Sequence, residues 1–450
     1  MSRFQSLPEK APTPPNLIAG TATRQDNLGL REACMLGAMV PNLHPKAGLS
    51  AAPQPTPASN GGTRPLRVAI VSEYYYPDLG GMPEHVHHLA RSLSARGHSV
   101  VVVTTRFDGH VEPMPGTSTY EVVRIGRACP PLITNGSVSR AAIGWRLGAQ
   151  IQRLFTERNF DVIHVHAPLF PTLALLAIRY APPTAKLIGT LHTHLTDSTL
   201  LRWFRRPLQR YLNALDAIVA VSPSAIDCLR RLGFELEAAV IGNGIDLDYW
   251  QSGRPLTQFL DGRPNLLVQA RLEPRNHIGT ILAALRQLQQ GAFPEGQLPR
   301  LLVLGEGPLH ASLQAQSHGL PVHFAGSVLG GRADFAATSA AFCFSAAIAS
   351  HPMSLMEGMA AGRPVLCHQI AGVPELVTDG VEGFVLPLND AASYAAALSH
   401  LLRDDELRCR MGAAARRRVA EFAWPKITHQ LEDLYYRTKA RNSGGLSSRF

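Results

Sequence analysis

Paired cysteines are what this chain most conspicuously lacks. Its six cysteines are Cys34, Cys129, Cys228, Cys343, Cys367 and Cys409, and no two form a C-x-x-C pair. Cys228, Cys343 and Cys367 lie in apolar segments, so free thiols in a reducing compartment are expected, and disulfides or cysteine-bound zinc are not. Also missing is a run of about 18 uncharged apolar residues, the length a bilayer-spanning helix needs. The N-terminus has no charged-then-apolar leader. These absences predict a cytoplasmic protein, with peripheral contact to the cytoplasmic face of a membrane left open. Charge is sparse, at 17% of residues, and unbalanced: 43 Lys+Arg against 34 Asp+Glu give a net +9. That excess suits an acidic partner, either phosphorylated small molecules or an anionic membrane surface. The basic residues are spread along the chain, so nucleic acid is not the expected partner.

What is present reads as two α/β domains, which 450 residues accommodate. Residues 1–65 are rich in Pro, Ala, Ser, Thr and Gly and read as a disordered extension, with one short helix expected over residues 26–40. At Leu66 the run LRVAIVS begins, apolar nearly throughout, as in a strand of a buried parallel sheet. A glycine-bearing loop, a helix over Pro83–Ala95 and a strand over Ser99–Thr105 complete a βαβ unit. Further strands are expected at Val162–His166, Lys186–Leu191 and Ala217–Val221. The helices between them fall at Ala141–Glu157, Thr172–Arg179, Leu200–Asn213 and Ser222–Leu232, with Ser222 as N-cap of the last. Residues 66–243 thus form the first domain and 244–262 a linker. Residues 263–424 form a second domain of the same alternation. A last helix, Pro425–Thr438, and a polar tail fill 425–450.

Ligands in open α/β folds sit over the C-terminal ends of the strands, and the candidate residues fall there. Gly80 and Gly81, after the first strand, let backbone N–H groups approach a phosphate with no Cβ in the way. Arg271 ends the first strand of the second domain, where its guanidinium can fork onto a diphosphate. Pro352 opens a helix, so the free N–H groups of Met353, Ser354 and Leu355 and the positive helix end form an anion seat. Glu357, one turn further, can accept hydrogen bonds from a ligand's hydroxyls. Together these meet the needs of a sugar nucleotide. His164 and His166 share one face of their strand, and His166, last before Ala167-Pro168, is placed to meet a sugar hydroxyl; His192 and His194 are similar candidates. No third ligand is evident beside the histidine pair, so no metal is expected. The segment LLRWFRRPLQRYL, Leu200–Leu212, mixes aromatics, leucines and arginines as an interfacial helix does, with Pro207 breaking its regularity.

Between about Leu66 and Thr438 the chain resembles retaining GT-B glycosyltransferases of the glycogen-synthase-like, phosphatidylinositol-glycan-synthesising group. The resemblance rests on VSEYYYPDLGGMPEHVHHLARSLSARGHSVVVVT, DVIHVHAP, AIVAVSPSA, IGNGID, ARLEPRN, LVLGEGP and LMEGMAAGRPV with AGVPELV, in order and spacing. It implies two Rossmann-like domains about a cleft, with the last helix crossing back to the first domain. It also implies hexose transfer from a nucleotide diphosphate sugar with retained configuration, without a metal or other cofactor. The acceptor implied is a sugar, a lipid or a polyprenyl-linked group. By the same resemblance Arg271 and the Met353–Leu355 N–H groups hold the diphosphate. Gly80 and Gly81 approach it, Glu357 binds the ribose, and His166 contacts the donor sugar. Two positions depart from the pattern. Ala349 stands where the family has the first of two glutamates, and His351-Pro352 where Phe-Gly tends to follow. Asn276, a donor-side position, stands where it has a lysine. His351 and Arg275 are the nearest substitutes. An active transferase and a catalytically impaired binding or partner subunit both remain open readings.

Overall fold

The computed structural model describes residues 64–77, 80–106, 119–129, 132–134, 137–139, 141–192, 199–291, 293, 297–328 and 330–440. The expected extension before residue 64, the short helix over 26–40, the tail after 440 and His194 lie outside the described residues.

The first domain is built on seven strands: β1 (Arg67–Val71), β2 (Ser99–Thr105), β3 (Glu121–Ile125), β4 (Val162–His166), β5 (Lys186–Leu191), β6 (Ala217–Ala220) and β7 (Ala239–Val240). All pair in parallel, in the order 7-6-5-4-1-2-3. The second domain has six: β8 (Asn265–Gln269), β9 (Arg300–Leu304), β10 (Val322–Gly326), β11 (Ala341–Phe344), β12 (Val365–His368) and β13 (Gly383–Leu386). These too are parallel, in the order 10-9-8-11-12-13. Helices cover both faces of each sheet, which is why the central strands are apolar on both sides. Val68, Ala69, Ile70 and Val71 are fully buried, as are Leu266 and Leu267. In each sheet the strand order reverses once, between β1 and β4 and between β8 and β11, and crevices open at such points.

The chain departs from the sequence expectation in several places, two of them the edge strands β3 and β7, which the sequence reading did not include. The region expected as a helix from Ala141 opens instead with Ala142–Ile143 paired to Arg127–Ala128, and the helix starts at Leu147. Gly144 and the left-handed Arg146 (φ 59°) turn the chain there. The helix expected over Leu200–Asn213 is two, Thr199–Trp203 and Arg205–Asn213, divided at Phe204. Pro207 lies in the first turn of the second, where a missing N–H is harmless. The segment expected as a linker carries a helix, Leu247–Gln251, and buries Ile245, Trp250 and Phe259 against the second domain's core. A helix the sequence reading did not include, Arg332–Thr338, precedes β11.

The chain passes between the domains twice, side by side. The Ile245 N–H donates to the Phe422 carbonyl at 2.9 Å, and the Trp424 N–H donates to the Ile245 carbonyl at 3.1 Å. The last helix, Trp424–Arg437, then packs on the helix Gly81–Ala95 of the first domain, burying Trp424, Ile427, Leu431 and Tyr435. Glu432 takes Arg96 and His98 as partners, the latter at 2.7 Å, and Lys186 Nζ donates to the Tyr435 carbonyl at 2.7 Å. The return crossing is therefore both apolar and ionic. Gly244 is essential to it, because a Cβ there would stand 2.4 Å from the Trp424 ring. Gly244→Ala should cost about 1–3 kcal/mol, the range for overpacking a tight site, seen as a lower thermal midpoint. An unchanged midpoint would mean that the crossing strands separate without loss.

Candidate active site

The residues that the sequence assigns to a donor do converge, and the two reversals of strand order are what bring them together. The loop after β1 ends at Gly80, whose φ of 155° suits glycine. A Cβ on Gly80 would lie 3.5 Å from Nη2 of Arg271, which follows β8. A Cβ on Gly81 would lie 3.7 Å from Sδ of Met353, at the head of the helix Met353–Ala360 that follows β11. Pro352 caps that helix without a side-chain bond, and the first intrahelical bond runs from Met356 N–H to the Pro352 carbonyl at 3.2 Å. The N–H groups of Met353, Ser354 and Leu355 therefore precede the ladder, at the helix end whose Met353 side chain lies against the glycine loop. One wall thus comes from each domain: glycines without side chains opposite a guanidinium and a helix N-terminus. That pairing is suited to a diphosphate.

Glu357 sits one turn inside the same helix, 4% exposed. Gln269 Nε2 donates to its Oε2 at 2.7 Å, and Arg332 Nη1 stands 3.4 Å from its Oε1. Arg332 also reaches across the cleft, with Nη2 2.9 Å from Oε1 of Glu84 in the first domain, and its guanidinium lies over Trp250. Burial pushes the Glu357 carboxyl up to about 7, against the opposing pull of Arg332. Burial would also raise Glu84, but the hydrogen bond from His88 and the Arg332 charge outweigh it and hold that carboxyl at about 2. Burial would lower Arg332, yet Glu357 and Glu84 keep it above its ordinary value. The result is one buried cation shared by two carboxylates from different domains. Sequence reasoning missed Arg332 and Glu84. They lie 248 residues apart, and the helix carrying Arg332 starts after two glycines, Gly330 and Gly331, with no local mark of a ligand.

Not every assigned residue faces the donor walls. Asn276 is buried, donating from Nδ2 to the Arg271 carbonyl at 2.7 Å while its own carbonyl accepts from Ser345 Oγ at 2.6 Å. It ties the loop after β8 to the loop after β11 and contributes no cation. His351 does not take over either. It is held at the interdomain crossing, where its Nδ1 accepts the Asn243 N–H at 3.3 Å and its carbonyl accepts Asn243 Nδ2 at 2.7 Å. Arg275 pairs with Glu273 at 3.2 Å, and Glu273 also stands 3.6 Å from Arg271. The cation that faces Glu357 is Arg332 instead.

At the C-terminal end of β4, His164 and His166 share a face as their spacing requires, with ring centroids 4.4 Å apart. His164 is a packed residue, bonded at 2.6 Å both to the Tyr435 hydroxyl and to the Thr190 hydroxyl. His166 bonds through Nδ1 to His192 Nε2 at 2.7 Å, while its Nε2 is buried without a partner. A third ring, His85, comes from the helix Gly81–Ala95 and lies beside His166 and His192, while His164 stays bonded to Tyr435 and Thr190. Burial lowers all of these histidines, His85 to about 3 and His166 and His192 well below their ordinary value, so they are neutral at physiological pH.

Comparison with known proteins agrees with this two-domain fold. Residues 79–249 match the family described as Glycosyltransferase Family 4, and residues 263–404 match Glycosyl transferases group 1. The phosphatidyl-myo-inositol mannosyltransferase of Mycolicibacterium smegmatis is 30% identical over 382 residues, covering 82% of this chain and 93% of the relative. A glycogen synthase of Mycobacterium tuberculosis is 30% identical over 419 residues, covering 83% and 95%. Among solved structures, Anabaena Alr3699/HepE in complex with UDP and glucose superposes with a TM-score of 0.66 at 17% identity, over 83% of this chain and 100% of that one. Sucrose-phosphate synthase from Thermosynechococcus elongatus gives 0.64 at 19%, over 83% and 98%.

Two outcomes follow from the buried ion group. Between its ordinary value of 4.5 and about 7, the folded Glu357 holds a proton that the unfolded chain has lost. Stability from this group is therefore complete below the lower value and falls as pH rises through the upper one. Thermal midpoints from pH 5 to 8 should show that decline in the wild type and a shallower one in Glu357→Gln; equal slopes would contradict it. Arg332→Ala leaves the buried Glu357 and the partly buried Glu84 without their shared cation, and breaking a fully buried pair costs about 3–5 kcal/mol, an upper bound here. It should lower the midpoint far more than removal of an exposed pair, such as Arg153→Ala beside Glu157. By its matched domains, its curated relatives and its two facing sheets, this chain belongs to the GT-B glycosyltransferases that include the phosphatidyl-myo-inositol mannosyltransferases and the glycogen synthases.

Proposed function

We propose that this nucleotide-sugar glycosyltransferase moves a hexosyl group, with retention of configuration, to a lipid-linked acceptor at an anionic membrane surface. The observation that carries the donor half is the facing of Gly80 on Arg271 and of Gly81 on Met353, with Glu357 directly behind. A nucleotide diphosphate fits that order: ribose hydroxyls at Glu357, diphosphate between the glycines, Arg271 and the N–H groups of Met353–Leu355, and the sugar toward His166. The positive groups stabilise the leaving diphosphate as its bond to the sugar's anomeric carbon breaks. The acceptor oxygen attacks on the same face and its proton passes to the departing phosphate oxygen, so no protein nucleophile and no resident metal are required. Arg332 supplies a positive charge beside Glu357, which supports the active-enzyme reading over the impaired partner subunit. Ala349 is the observation on the other side.

The acceptor half rests on the names of the curated relatives and on surface chemistry. Trp203 is 82% exposed and Phe204 53%, with Arg202, Arg206 and Arg210 also exposed around them. Aromatic rings among arginines suit an anionic lipid interface. Among the described residues no helix is long and apolar enough to cross a membrane.

Nucleotide sugars, GDP-mannose and UDP-glucose among them, should raise the thermal midpoint selectively. A ligand at a hundred times its dissociation constant adds about 2.7 kcal/mol. Arg271→Ala should abolish the shift and lower transfer by about 10²–10³-fold. No shift with any donor, or donor binding without transfer to any phospholipid acceptor, would favour the partner-subunit reading. Flotation with vesicles containing anionic lipid should carry the protein upward, and Trp203→Ser with Phe204→Ser should leave it at the bottom.

A further inference from the structure

Three histidine rings meet at the edge of the cleft, and donor chemistry does not account for all of them. His85 lies on the helix Gly81–Ala95, His166 closes β4 and His192 follows β5, so three separate elements converge. One nitrogen from each ring can be chosen so that all lie within 4.8 Å of one another. His85 is 3% exposed and His166 1%. Neither ring nitrogen of His85 makes a hydrogen bond of good geometry, although the Asn243 side chain lies beside it. Buried polar atoms left in this state call for an explanation, an ion or a water being the usual ones. A single water satisfies few of these atoms, because each neutral imidazole offers one lone pair and one N–H.

We infer that His85, His166 and His192 form a binding site for a borderline divalent cation of the zinc type. Three neutral imidazoles and no carboxylate select Zn²⁺, Co²⁺, Ni²⁺ or Cu²⁺ over Mg²⁺ and Ca²⁺, which need oxygen ligands. Two nitrogens on one tetrahedral zinc stand about 3.4 Å apart, since Zn–N is about 2.0–2.1 Å. The observed separations bracket that spacing: 2.7 Å between His166 Nδ1 and His192 Nε2, and no more than 4.8 Å across the set. Small ring rotations close the triangle, and the metal replaces the His166–His192 hydrogen bond. His192 is partly exposed, so the fourth position can open toward solvent. A packed layer braces the set from behind: His164 against His166, and Trp424 5.2 Å from His85. On the reading of His166 as the residue that meets the donor sugar, occupancy withdraws it, so the cation inhibits transfer rather than supporting it.

The test is calorimetric titration of the metal-free full chain with Zn²⁺, together with the visible absorption of Co²⁺ bound in its place. One Zn²⁺ per chain is expected, with Co²⁺ bands of a low-coordinate nitrogen site. His192→Ala removes the most exposed ligand and should weaken binding by about a hundredfold or more, beyond what loss of an outer-shell partner causes. His85→Phe keeps the ring volume and should do the same. His310→Ala, which removes an exposed histidine–glutamate pair, should leave binding unchanged. Matching thermal midpoints in chelator establish that the variants fold. Equal Zn²⁺ binding by wild type and His192→Ala, or none by the wild type, would overturn the site. Zn²⁺ bound at the site with transfer undiminished would leave the site standing and overturn the place given to His166 beside the sugar.

Discussion

A single buried guanidinium sets the terms for the cleft. Arg332 lies between Glu84 of the first domain and Glu357 of the second, and each carboxylate would be costly to bury without it. Coulomb attraction at these distances adds to the paired crossings and the last helix in holding the two domains together. The same charge keeps Glu357 within reach of ionisation, because it opposes the burial that lifts the carboxyl and the two together leave it at about 7. Closure of the domains and the state of the residue assigned to the ribose are therefore coupled through one side chain. A nucleotide entering the cleft must share Glu357 with Arg332 and Gln269, or displace them. The bridge is thus a competitor for the donor's hydroxyls and, once displaced, a cation free to meet its phosphates.

The sequence announces its strands better than its helices, for a physical reason. A strand buried on both faces reads as an unbroken apolar run, and Ser99–Thr105, Val162–His166 and Lys186–Leu191 match their expected limits. The helix boundaries slip where a local turn overrides composition, as Gly144 and Arg146 do before Leu147. Ser222 is legible as a cap because its signal is local, and its hydroxyl does accept the Ala225 N–H. The donor walls are legible for the same reason: glycines after a strand, an arginine ending one, and a helix head after another each carry their chemistry in a few adjacent residues. Arg332 carries none of its meaning locally, because Glu84 and Glu357 find it only through the fold. His85 is the same case, an interior helix residue until β4 and β5 place two more rings beside it.

The departures at Asn276 and Ala349 take on different weights once their surroundings are known. Asn276 has a structural duty of its own, bonding the Arg271 carbonyl and accepting from Ser345. A lysine there would carry a charge into a position that is 9% exposed, whereas the neutral amide makes its bond without that burden. His351 is similarly committed, because its ring and carbonyl together fasten Asn243 at the crossing between domains. Ala349 has no such compensation in view: it packs at the border of an apolar cluster and brings no polar group to the sugar. Of the two departures, the missing glutamate bears more on which sugar is held, and the missing lysine bears less on whether a diphosphate is.

The opposite wall raises the question of why the cleft carries so many uncharged imidazoles. A histidine that meets a sugar hydroxyl serves best neutral, offering either a donor or an acceptor without attracting the diphosphate away from Arg271. Burial enforces that state at His85, His164, His166 and His192, and the rings stack on one another and on Trp424 rather than on charged neighbours. The cleft is thereby polarised, with cations and N–H groups on the wall from the second domain and neutral aromatic nitrogen on the wall from the first. That division leaves unprotonated nitrogen lone pairs close together, which is the condition a transition metal exploits. Selectivity for the sugar and susceptibility to zinc then share one cause, the exclusion of charge from the wall that faces the transferred group.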